Sequence, residues 1–164
     1  MHGLKNEPSV KGKVGEITCL GICHPTEDPA KVETAIRSVL GPSAKFDVSS
    51  AESHFGLPMK LITGRTEGDA PFRYILSRMS VEDRHEFMQQ LDQRLDDSNR
   101  LHVRFDKQSA FAGTPILYSS ADPSSRKQRD SIDIEIRLIT YPGKRETAIG
   151  FIGTFMDEKQ DRQG

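Results

Sequence analysis

Tryptophan is missing from this 164-residue chain, and only two cysteines, Cys19 and Cys23, occur in it. Two cysteines make no secreted disulfide framework. If both lie on one extended strand, their α-carbons stand about 13 Å apart, beyond disulfide reach. An excess of one charge is missing as well: 23 Lys and Arg stand against 24 Asp and Glu, a formal net charge of −1. Coating nucleic acid indiscriminately takes clustered positive charge, so any phosphate site in this chain has to be local. No apolar run of about 18 residues is present, no signal-peptide core is found, and neither Asn6 nor Asn99 opens a glycosylation sequon. The expectation is a cytoplasmic protein with no membrane partner.

Several chemistries are excluded by missing motifs. There is no G-x-x-x-x-G-K-[ST] phosphate loop, no G-x-S-x-G elbow and no H-E-x-x-H pair. Cys19 and Cys23 have the spacing of a first zinc pair but lack a second, and Cys19 on a strand would point into the core. Gly150-Phe151-Ile152-Gly153 has the KH spacing, yet that loop must expose its two middle residues, and Phe151 and Ile152 favour burial. No aromatic RNP signature occurs. Asp133 and Glu135, at i and i+2 on one strand face, have a spacing that shares a metal in nucleases and is also common on solvated sheet faces. Arg104 is a candidate cross-strand ion-pair partner for Glu135. No catalytic set, cofactor or metal is expected.

What is present fits one domain: residues 14–157, preceded by an aperiodic arm over 1–13 and followed by a polar tail over 158–164. A strand is expected over 17–23. Asp28 then caps a helix with Pro29 at its first position and Val32, Ile36, Val39 and Leu40 on one stripe, stopped by Gly41-Pro42. Strands follow over 45–51 and 59–63, with a polar turn over 64–68. Asp69 is the expected cap of a short helix, and Ser80 that of a longer one reaching about residue 97, with His85, Gln89, Asp92 and Arg94 on its solvated face. Further strands are expected over 101–106, 114–119 and 132–138, and a helix over 148–156. Strands interrupted by helices without regular βαβ alternation predict an α+β fold: a mainly antiparallel sheet covered by helices on one face.

The stretch Leu101 to Gly113 is the one that best suggests a site. Leu101, Val103 and Phe105 alternate with His102, Arg104 and Asp106, so a half-buried strand runs directly into Asp106-Lys107-Gln108. A cation and an amide at a strand end suit a phosphate or RNA backbone; a strand with a solvated polar face is the plain alternative. Arg126, Lys127 and Arg129 lie on a Ser-rich loop that a fold could bring beside Lys107, and Lys144 and Arg145 would extend the patch. His24 and His54 have rings able to hydrogen-bond at strand ends and to stack on a base.

Three blocks, His24-Pro25-Thr26-Glu27-Asp28, Ser53-His54-Phe55-Gly56-Leu57-Pro58 and Arg104-Phe105-Asp106-Lys107-Gln108-Ser109-Ala110, carry a resemblance to an archaeal RNA-binding family described as a predicted exosome subunit. That family is similar in fold to the large-subunit ribosomal protein L-five. The resemblance spans about Gly15 to Met156; Ser53 and Leu57 depart from the pattern, where Gly and Asn are expected. It implies a nonenzymatic RNA-binding protein linked to the exosome or the ribosome, with motif positions His24, His54, Arg104, Lys107 and Gln108 and no catalytic role. A protein-interaction adaptor of an RNA-processing complex is the alternative, and a metal-dependent nuclease the third.

Overall fold

A computed structural model describes residues 11–118 and 130–163, with side chains as far as Asp157. Five strands form a single antiparallel sheet: β1 (Lys11–Cys23), β2 (Lys45–Glu52), β3 (Pro58–Glu67), β4 (Arg100–Asp106) and β5 (Ser131–Tyr141), in the order β2-β3-β1-β5-β4. The α+β expectation holds. Among the described residues six helices accompany the sheet: α1 (Pro29–Leu40), α2 (Asp69–Ser77), α3 (Val81–Gln89), α4 (Leu91–Arg94), α5 (Lys107–Phe111) and α6 (Arg145–Gln163).

Alternation decides which face is covered. Ile132, Ile134, Ile136 and Leu138 of β5, Leu101, Val103 and Phe105 of β4, and Ile17, Cys19 and Cys23 of β1 are buried on one face with Val32, Ile36, Phe72, Phe87 and Ile152 of the helices. On the opposite face Thr18, Leu20, Ile22, Leu61, Thr63, His102, Arg104, Asp133 and Glu135 are all half-buried or exposed, so that face is open among the described residues. Phe151 and Ile152 are buried, which removes the KH-like spacing from the surface.

α1 forms as its sequence dictates: the Asp28 carboxylate accepts from Ala30 N at 3.0 Å, Pro29 opens the helix, and Gly41 at φ 93° ends it. It lies close on the sheet because Gly64 carries no side chain. A Cβ there would stand 2.7 Å from Ile36 Cγ2. Pairing with β1 and β2 on either side makes residues 64–67 of the expected 64–68 turn the end of β3 instead.

Other expectations fail for local reasons. Asp69 does not cap α2; its Oδ1 accepts from Val14 N at 2.8 Å, at the point where β1 shifts register between Val14 and Ile17. The long helix after Ser80 breaks at Gln90 into α3 and α4. Arg94, expected on a solvated face, is 4% exposed and donates to Gln90 Oε1 and Tyr118 O, each at 2.8 Å. Of the strand expected over 114–119, the described residues 114–118 form only an isolated bridge between Leu117 and Phe105. β1 starts at Lys11, inside the expected arm, and α6 runs on to Gln163, through the expected tail. The rest of the arm and the basic loop with Arg126, Lys127 and Arg129 lie outside the described residues.

Candidate nucleic-acid interface

Antiparallel pairing puts the C-terminal end of β1, the β2–β3 turn, the start of β5 and the end of β4 at one end of the sheet. The register fixes this: Cys23 faces Lys60, Gly21 faces Ile132, and Asp106 faces Ser131. The three sequence blocks, some 80 residues apart at the extremes, therefore converge. Lys144 and Arg145 do not join them. They follow β5 at the opposite end, roughly 30–35 Å away, and Arg145 is held there by donating to Leu95 O at 2.9 Å and to Asp92 O.

At the β4 corner the Asp106 carboxylate caps α5 by accepting from Ser109 N at 2.8 Å, and it also accepts from the Tyr118 hydroxyl at 2.9 Å. The cap turns Lys107 inward, and the residue is 3% exposed. Its Nζ donates to Ile22 O at 3.0 Å and lies 2.8 Å from Glu27 Oε1 and 2.8 Å from Asp130 Oδ1. All three ammonium donors are thus engaged. Burial alone would lower the Lys107 pKa, but the hydrogen bonds and charges of Asp130 and Glu27 outweigh it and hold the ammonium above its ordinary value. Burial would raise Asp130, but hydrogen bonds from Lys107 and Gln108 and the nearby charges of Lys107 and His24 keep its carboxyl below the usual range. Lys107, expected as an outward phosphate ligand, is placed as the buried hub of this corner.

Around the hub, Gln108 Nε2 donates to Asp130 Oδ2 at 3.2 Å, and His24 N donates to Glu27 Oε1 at 3.1 Å with the ring left exposed. A cleft of about 280 Å³ opens beside it, lined by Thr26, Lys31, Lys107, Gln108 and Phe111 among others. Arg104 sits one residue pair inward on the open face. Its cross-strand neighbour is Asp133, at 3.5 Å, and not Glu135, which faces His102 and pairs with Arg100 at 3.1 Å. His54 lies across the sheet end on the β2–β3 turn, exposed. Asp130, which pairs with Lys107, is the first described residue after Tyr118; Arg126, Lys127 and Arg129 lie outside the described residues.

Glu27, Asp130 and Phe55 carried no assigned role in the sequence. The carboxylates act through partners 80 and 23 residues away from them in the chain, a distance no local pattern reports. Asp96, His102 and Glu135 bring their ligand atoms within 4.8 Å of one another on the open face, the described grouping able to approach a metal. There the Arg100 guanidinium already supplies Glu135 with a positive neighbour, and Asp96 Oδ2 lies 2.9 Å from His102 Nε2.

Together these features define an α+β binding protein with one open sheet face and a polar sheet end assembled from three distant segments. A match to the model of the RNA-binding family covers residues 16–138, and the chain belongs to that family. It is 26% identical to the RNA-binding protein PAB1135 of Pyrococcus abyssi over 143 residues, covering 82% of this chain and 88% of that one. Among solved structures it is similar to AF2318 from Archaeglobus fulgidus, with a TM-score of 0.70 and 29% identity over 87% of this chain and 99% of that one. It is likewise similar to Mth689 from Methanothermobacter thermautotrophicus, at 0.68 and 28%, over 87% and 98% of the two chains. No described helix is long and apolar enough to cross a membrane.

Proposed function

We propose that the protein binds RNA without turnover at this end of the sheet, through a local basic patch, in association with RNA processing by the exosome or with the ribosome. The observation that carries the reading is the convergence of the 24–28, 53–58 and 104–110 blocks on one sheet end in a chain of the RNA-binding family. Within the site the cations divide by burial. The Arg104 side chain is 49% exposed and its pair with Asp133 is worth well under about 1 kcal/mol, so a phosphate can replace the carboxylate. The Lys107 pairs are buried on the lysine side and do not exchange; Lys107 positions Glu27 and Asp130. Arg126, Lys127 and Arg129 supply the remaining phosphate contacts, and His24, His54 and Gln108 the hydrogen bonds near bases.

Binding of a structured RNA across a salt series tests this. Arg104→Ala is expected to weaken binding and reduce the log–log salt slope by about one. Joint Arg126→Ala, Lys127→Ala and Arg129→Ala is expected to reduce it by roughly two to three. Unchanged affinity and slope in both variants would move the site elsewhere. One observation favours the second reading, a protein-interaction adaptor: both described candidate cations of the motif, Arg104 and Lys107, already face carboxylates. Salt-insensitive capture of a defined exosome or ribosomal protein after RNase treatment, with no RNA affinity, would establish it.

A further inference from the structure

We propose that the turn between β2 and β3 is a stacking platform for an unpaired RNA base, with the Phe55 ring as its floor. The inference rests on the RNA reading above and adds the kind of RNA that is recognised.

Phe55 is 85% exposed, the most exposed of the large hydrophobic side chains described. It is not exposed through looseness of the turn. Ser53 Oγ accepts from Phe55 N at 3.3 Å and from Leu57 N at 3.0 Å, Ser53 N donates to Leu57 O at 2.8 Å, and Gly56 N donates to Ser53 O at 2.9 Å. Gly56 holds φ 77°, a conformation glycine adopts at little cost. A turn closed on itself by four hydrogen bonds fixes the direction in which the Phe55 side chain leaves the backbone.

The ring has room for a partner. His54 stands 5.4 Å away, centroid to centroid, with the planes at 78°. Perpendicular rings meet edge to face, so each keeps at least one face clear of the other. The hairpin also reaches beyond the sheet end: β1 stops opposite Lys60, while β2 and β3 stay paired out to Glu52 and Pro58. The ring therefore projects past the end where His24, Gln108 and Asp130 lie.

Charge separates a nucleic acid from other occupants. Around the ring, Lys60 and His54 are set against one carboxylate, Glu52 at the base of the turn opposite Pro58, whereas at the Lys107 corner two carboxylates, Glu27 and Asp130, are already bound to the cation. A stable protein interface buries about 800 Å² on each partner, with apolar anchors in a broad patch. The Phe55 ring, with the 55% exposed Leu57 two residues on, offers less than that, and an exposed ring is what a base requires.

The test compares two RNAs with the full chain: a hairpin with an unpaired uridine loop, and the same stem as a blunt duplex. Phe55→Ala is expected to weaken loop binding about tenfold or more and to leave duplex binding unchanged. Phe55→Trp introduces the protein's only tryptophan; it is expected to keep loop affinity, with emission quenched by the looped RNA and not by the duplex. If Phe55→Ala binds the looped RNA like the parent, the stacking inference falls while RNA binding itself stands. If the parent binds neither RNA, both fall. If Phe55→Ala alters only sedimentation of the free protein, the turn is a contact between copies and the inference is overturned.

Discussion

One end of the sheet contains two corners built on opposite principles. At the β4–α5 corner a cation is buried and every donor on it is matched, so the residues there are engaged with one another. At the β2–β3 turn a large apolar side chain stands almost wholly in water on a backbone that satisfies itself locally. The first arrangement couples segments distant in sequence and leaves Lys107 itself no donor for a ligand. The second leaves the turn's geometry independent of the ring, which is free for a partner. A residue type alone does not distinguish a structural role from a binding role; the number of groups left unmatched does.

The sharpest way to break this contrast is at the hub. Lys107→Met keeps most of the aliphatic volume but strands Glu27, Asp130 and the Ile22 carbonyl. Removing one partner of a fully buried ion pair costs about 3–5 kcal/mol. Here the two carboxylate side chains are 24% and 40% exposed, and water takes up part of that loss. The expected destabilisation is about 2–3 kcal/mol, read from urea unfolding with an unchanged m value. A loss under about 0.5 kcal/mol would show the hub to be no more than a surface pair.

A smaller effect follows from pH. Asp130 has a folded pKa below its ordinary value, so its contribution is present above the unfolded value and disappears as pH falls through the depressed one. Lys107 is shifted upward, so its contribution is complete below its ordinary value and lost as pH rises through the raised one. Tyr118 adds to the alkaline side: burial and the hydrogen bond to Asp106 push its phenol up to about 12. Thermal stability is expected to be level near neutrality and to fall at both extremes. Asp130→Asn should make the acid limb shallower, and Tyr118→Phe should change only the alkaline limb. An acid limb identical in Asp130→Asn would remove Asp130 from the network.

Much of the fold was legible because period 2 and capping chemistry are local. The β5 alternation, the α1 stripe and the Asp28 cap all stand where the sequence puts them. The failures share a cause: a residue's local role was taken over by a distant group. Gly64 reads as a turn until Cys19 and Phe46 pair with it on either side, Asp69 reads as a cap until the β1 register shift claims its carboxylate, and Arg94 reads as solvated until Tyr118 O lies over it. The site divides in the same way. The blocks around residues 24, 54 and 104 name residues that meet at one sheet end, but the direction in which Lys107 points depends on Glu27 and Asp130, which no spacing links to it.

The smallest expected effect is the most discriminating. If the Phe55 ring has no structural task, Phe55→Ala should change unfolding free energy by less than about 0.5 kcal/mol, as at other surface positions. Ser53→Ala at the same turn removes the acceptor for two backbone N–H groups and should cost more, on the order of 1 kcal/mol. The pair of values separates a turn that holds a ring from a ring that holds a turn. If Phe55→Ala proves the costlier of the two, the ring packs where it stands, the hairpin resembles the hub after all, and the contrast between the two corners fails.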